Sequence, residues 1–137
     1  MTVDIYETFS WFIEIHARIG SASFYYAVFI ALWALWRLYR KEGIDNNYWL
    51  ALVIAEVILL VQGALGVFLY FYGGVKLARE IHVLYGGLSA LALPVAYLFS
   101  RGKKERRDLI IYGASLLLVI LLTIRSLQTA GALLVFE

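Results

Sequence analysis

The chain of 137 residues is 63% apolar and 16% charged with a net charge of +2, and its mean hydropathy is +0.80; a soluble domain is nearer half apolar and a quarter charged. That surplus cannot be hidden in a water-facing globule, and it suffices for about four membrane spans of roughly 20 residues with little left over. There is no Cys, one Met and two His, which excludes disulfides, iron–sulfur clusters, thiolate zinc sites and thioether-attached haem, and leaves two imidazoles for any transition-metal chemistry.

In chain order, the opening MTVDIYETFS holds two acids and no basic stretch, so the first helix is expected to be retained and not cleaved as a signal peptide. Apolar tracts follow at 9–39, 48–72, 81–99 and from 109 to near 128, each long enough to cross about 30 Å of hydrocarbon as a helix. No period-2 alternation points to a barrel. The first connection holds Arg37, Arg40 and Lys41, and the third holds Arg101, Lys103, Lys104, Arg106 and Arg107, together eight of the twelve basic residues. Both basic loops are therefore expected inside and both termini outside. The positive charge is a topology signal and not a nucleic-acid footprint. Trp33, Trp36, Tyr39, Tyr48 and Trp49 are placed for an inner aromatic belt, and Tyr70, Phe71 and Tyr72 for an outer one.

Sliding the sequence on itself by 66 residues aligns Glu14-Ile15-His16 with Glu80-Ile81-His82, Gly20 with Gly86, Ser23 with Ser89, Arg40 with Arg106, and Gln62 with Gln128. Without a gap, 14–70 against 80–136 gives 15 identities in 57 positions. The expected architecture is all-α: one four-helix transmembrane domain over 1–137, made of two tandem hairpins that point the same way. His16 and His82 then face each other across the bundle at equal depth. His16 lies 21 residues before Arg37 and His82 lies 19 before Arg101, which puts both about 30 Å from the inner boundary.

One helical turn beyond each histidine stands a glycine, Gly20 or Gly86, and the next residue on that stripe is Ser23 or Ser89. Small residues there give clearance for a flat macrocycle, so His-x3-Gly-x2-Ser in duplicate fits one b-type haem with two imidazole ligands from facing helices. Propionates need cations at that depth: Arg79, one turn before His82, and Arg125, an arginine inside the last span. Arg18 is instead expected to pair with Glu14 at i,i+4. Gln62 and Gln128 are expected to bridge helices near haem depth. Glu56 interrupts the symmetry, its repeat mate being Leu122; it could move a proton, or be a protonated carboxyl bonded to a Tyr or Ser. Pro94 is expected to kink the third helix. Plainer readings stand beside these: interfacial packing for the histidines, small-residue helix contacts for the Gly and Ser stripes, and snorkelling for Arg125. A non-haem metal site is disfavoured, because Glu-x-His sets the two groups about 200° apart on a helix.

Glu14-Ile15-His16-Ala17-Arg18-Ile19-Gly20, Gln62-Gly63-Ala64-Leu65-Gly66 and His82 opening the third helix resemble one four-helix half of the haem A synthase family, membrane enzymes that oxidise a haem methyl group. The resemblance implies a bis-His haem b bundle, and it makes Glu14 a candidate catalytic residue beside Glu56. The family pattern resembles Glu-x-x-His-Arg, from which Glu14 and Arg18 are each displaced by one. At half the family's length, a two-haem enzyme would require a homodimer. Two axial ligands leave no open iron position and favour electron transfer over oxygen activation. The reading is an integral membrane b-type cytochrome, in a prokaryotic plasma membrane, passing electrons to a quinone or a respiratory-complex subunit. The alternatives are a haem A synthase-like oxidoreductase and a haem-free structural subunit.

Overall fold

The computed structural model describes residues 5–72 and 80–131, with side chains over 9–72 and 80–129. They form four helices: α1 (Ile5–Tyr39), α2 (Asn46–Phe71), α3 (Ile81–Ser100) and α4 (Arg106–Gly131). Each is long and apolar enough to cross a bilayer, and the protein is an integral membrane protein. Large apolar side chains such as Leu32, Leu35, Leu98 and Leu121 point outward, as they do when the solvent is lipid.

Around the bundle α1 meets α2 and α4, and α3 meets the same two, so α1 and α3 are diagonal partners. Helices in lipid gain little from burying more hydrocarbon and must gain from close packing, which favours small residues between them. The core follows that rule. Ala27, Ala34, Ala51, Ala55, Ala92 and Ala96 are buried beside Ile30, Leu52, Leu93, Leu109, Leu116 and Val119. Buried positions recur at helical spacing, as in Leu109, Tyr112, Leu116 and Val119 of α4. α3 continues unbroken through Pro94.

The end of the bundle that carries the 40–45 and 101–105 connections is locked by polar contacts. Arg37, 8% exposed, donates to the Gly43 carbonyl and to Asp45 Oδ2 at 2.8 and 2.9 Å. Asp45 Oδ1 accepts the Tyr48 N–H and caps α2. Asp108 reaches back to accept the Glu105 N–H at the start of α4. The two connections then join: the Ile44 N–H bonds the Lys104 carbonyl at 2.9 Å, Arg106 donates to the Leu38 carbonyl, and a Cβ on Gly43 would lie 2.6 Å from the Lys104 oxygen.

Two expectations are corrected here. Tyr48 is no belt residue: it is fully buried, and its hydroxyl donates to the Ile30 carbonyl at 2.9 Å, because a phenol inside the bundle can satisfy its proton on a helix carbonyl. Trp36, Tyr39, Tyr70, Phe71 and Tyr72 are exposed as belts require. Secondly, the 66-residue offset is not kept at this end. Relative to its histidine, α3 stops five residues earlier than α1, since Tyr39 is 23 residues after His16 and Ser100 is 18 after His82. Arg40 lies in a connection and Arg106 opens a helix, so that sequence match joins unlike places.

Gly43→Ala is expected to destabilise the protein by about 1–3 kcal/mol, because the obstructing atom is main chain and cannot swing aside; denaturant unfolding in detergent measures it. The Asp45 carboxyl is held below its usual range, first by the Tyr48 N–H and also by Arg37. Its contribution to stability is therefore full above the ordinary carboxylate range and is lost as pH falls through the lowered value. Asp45→Asn should flatten that acid decline, and an unchanged pH profile would contradict the cap.

Candidate functional site

The two histidines meet. His16 in α1 and His82 in the first turn of α3 lie across the bundle diagonal with ring centres 6.2 Å apart and planes at 69°. Both are half-buried. Metal–imidazole bonds run about 2 Å and a ring centre lies roughly 1.1 Å behind its nitrogen, so two rings holding one ion from opposite sides have centres about 6 Å apart. The observed separation is of that size.

The two rings are supported differently. His82 Nδ1 lies 3.2 Å from the Ser126 carbonyl, 3.2 Å from Thr129 Oγ1 and 3.1 Å from Ser126 Oγ. The Thr129 hydroxyl spends its proton on the Ser126 and Arg125 carbonyls of its own helix, so Nδ1 faces acceptors. The Ser126 carbonyl can only accept and so favours a proton on Nδ1, the tautomer in which Nε2 keeps its lone pair, as in an imidazole oriented for ligation by its surroundings. His16 Nδ1 is buried and has no hydrogen-bond partner among the described residues. Its ring lies over α2, where a Cβ on Gly66 would come 3.1 Å from Cε1. The Gln62 amide fills the space in front of Gly20, 2.9 Å from where its Cβ would be, while Gln62 Oε1 has no partner. Gly63 and Gly86 border open space.

Other expected residues fall as follows. Ser23 and Ser89 are buried, but each hydroxyl turns back to its own helix, to the Ile19 and Tyr85 carbonyls, both at 2.8 Å. These two bonds occupy positions 66 residues apart, and each is the local bond that a helical serine makes to the preceding turn. Gly20 does not provide clearance, since Gln62 occupies it. Arg18 pairs with Glu14 as expected, and both are exposed, which turns Glu14 away from the imidazoles. Arg125 is exposed and donates to Gln128 Oε1, so Gln128 is paired within α4 and bridges no helices among the described residues. Arg79 lies outside the described residues. Glu56 has no Tyr or Ser partner: both carboxyl oxygens are buried and unbonded among the described residues. No group of three or more His, Cys, Asp or Glu able to hold a metal occurs among the described residues.

Sequence reasoning missed Ser126, Thr129 and Gly66. The signal for the first two was their i,i+3 spacing on one face of α4, next to the more conspicuous Arg125. Gly66 stands one turn from Gln62 on the face turned to α1.

Comparison with protein-family models, with curated proteins and with solved structures returned no match for this chain.

His82→Leu should lose the α3–α4 bonds to Ser126 and Thr129 and lower resistance to unfolding in denaturing detergent by about 1 kcal/mol. Equal resistance in the variant would remove the support assigned to this ring.

Proposed function

We propose that the protein is a membrane b-type cytochrome that holds one haem between His16 and His82 and passes single electrons. The observation that carries this reading is the pairing of the chain's two imidazoles across the bundle diagonal, at 6.2 Å between ring centres, with the Nδ1 of one of them engaged by α4. The residues fit the group in two further respects: the partnerless His16 Nδ1 and Gln62 Oε1 lie at the same level, and Gly63 and Gly86 leave room that side chains would fill. A haem with two nitrogen ligands supplies a one-electron couple with no open coordination position.

The chain's own residues do the rest. His82 is held in orientation by α4, and His16 is positioned by its seat over the Gln62–Gly66 turn of α2. Arg79 and Arg125 are the proposed propionate partners; Arg125 must exchange Gln128 for that role. Glu14, exposed and ion-paired, is badly placed to act on anything bound between the histidines, which favours a carrier over a haem A synthase-like enzyme. The relation to one half of that family rests on the motifs at 14–20, 62–66 and 82. The protein sits in a prokaryotic plasma membrane with both termini outside, an orientation supported by the clustering of both basic connections at one end. Its partner is a quinone or a subunit of a respiratory complex, with self-association as a further arrangement.

Protein purified in mild detergent should show a sharp low-spin α-band in its reduced-minus-oxidised spectrum, and His16→Ala and His82→Ala should each abolish it. Absence of the band in the unaltered protein, or its persistence in either variant, defeats the reading. Orientation is checked separately: a cysteine placed at 103 should react with impermeant thiol reagent only after the membrane is opened.

A further inference from the structure

The end of the bundle opposite the histidines carries a charge imbalance that the lock between the connections does not consume. Four acids stand there, and three are used internally. Glu42 bonds Arg40 at 2.9 Å and lies 3.6 Å from Arg37. Asp45 pairs with Arg37 and caps α2. Asp108 is buried and caps α4. Glu105 makes no side-chain bond among the described residues.

Eight cations face these four acids. Arg37 is buried in the lock, Arg40 is held by Glu42, Arg106 donates to the Leu38 carbonyl, and Lys104 reaches Asn46 and sits 5.1 Å over the Trp49 ring. Lys41, Arg101, Lys103 and Arg107 are left: all exposed, and none with a side-chain hydrogen bond or ion pair among the described residues. Lys41 and Arg101 both adopt left-handed backbone, φ 60° and 53°. Residues other than glycine seldom do so, and here the conformation turns the chain sharply at the ends of α1 and α3 and leaves both side chains outside the helices. Lipid-facing aromatic residues mark the level: Trp36 and Tyr39 precede Lys41, and Phe99, 74% exposed, stands two residues before Arg101. The four free cations therefore lie at the depth of the headgroups.

We infer that Lys41, Arg101, Lys103 and Arg107, presented by the two interlocked connections, form a binding surface for the headgroups of anionic phospholipids in the adjoining leaflet. Charge complementarity selects the occupant: four uncommitted cations against one uncommitted carboxylate, at the plane where lipid phosphates lie. An acidic soluble partner would meet the same charges, but the exposed aromatic side chains at this level, Trp36, Tyr39 and Phe99, favour the bilayer surface. A juxtamembrane Lys or Arg near an anionic surface strengthens attraction by about fivefold in partitioning. The two connections alone form this surface, whatever the histidines hold.

The test uses the full chain in uncharged detergent and follows its thermal midpoint as phosphatidylglycerol or phosphatidylcholine is added. Phosphatidylglycerol should raise the midpoint saturably, and phosphatidylcholine should not. In the variant K41Q/R101Q/K103Q/R107Q, which touches no packed side chain, the concentration for half effect should rise by about tenfold or more. Equal effects of the two lipids, an unaltered response in the variant, or an equal effect of inorganic phosphate at the same concentration would overturn the inference. A second readout covers the case in which the fourfold variant folds poorly: quenching of tryptophan fluorescence by brominated lipids in a W11F/W33F background, which leaves Trp36 and Trp49 of the protein's four tryptophans as the emitters. Brominated phosphatidylglycerol should quench more than brominated phosphatidylcholine in that background, and the single variants K41Q and K103Q added to it should each reduce the difference; no difference in the background itself would also overturn it.

Discussion

The hydrogen bond from the Ile44 N–H to the Lys104 carbonyl, with Gly43 pressed against the same oxygen, ties one hairpin to the other at a single level. Everything along the bundle is measured from that tie. Helices surrounded by lipid slide past one another at little cost in buried hydrocarbon, so register has to be imposed by polar contacts and close packing. Arg37 fixes the first connection from within, through Gly43 and Asp45, and Asp108 fixes the start of α4. With the register set there, His16 and His82 arrive at one height some 20 residues away.

The interior changes character along its length. Near the connections it is filled by alanines, branched aliphatics and two buried tyrosines, Tyr48 and Tyr112, whose hydroxyls reach the Ile30 carbonyl and Ser100. Toward the histidines it becomes polar and incompletely bonded, with His16 Nδ1, Gln62 Oε1 and the Glu56 carboxyl all without partners among the described residues. Unbonded buried polar atoms are costly in an apolar medium, and a stretch of bundle that keeps several of them is built for something besides cohesion.

Much of this is legible in the residues. Tract lengths give the four helices to within a few residues of their ends, since a span must be apolar for about 30 Å whatever its packing. The histidine pair is legible because both imidazoles stand in the same local pattern at matched distances from basic loops. What stays hidden is tertiary. Arg37 reads as one more inner-loop cation, and only the fold shows it buried against Asp45. Tyr48 reads as an interfacial aromatic, because its sequence neighbours do not reveal the Ile30 carbonyl across the bundle. Ser126 and Thr129 gain meaning only when α4 comes up against α3. The repeat misleads for a related reason: identities such as Arg40 with Arg106 accumulate along an ungapped line, although α3 is too short for that line to hold beyond its middle. Lys41 and Arg101 are legible as charges, but not as the ones left over once the acids are assigned.

The contact at Gly43 also bears on assembly. The first hairpin contributes a notch, a position with no side chain bordered by the Arg37 lock, and all its parts come from residues 37–48. The second hairpin contributes what fills the notch, the main chain of Lys104 and its neighbours. The joint between the hairpins is therefore made from one self-contained connection on each side. Two chains cut between α2 and α3 would carry complementary halves of that joint, and would be guided to a single mutual register by it.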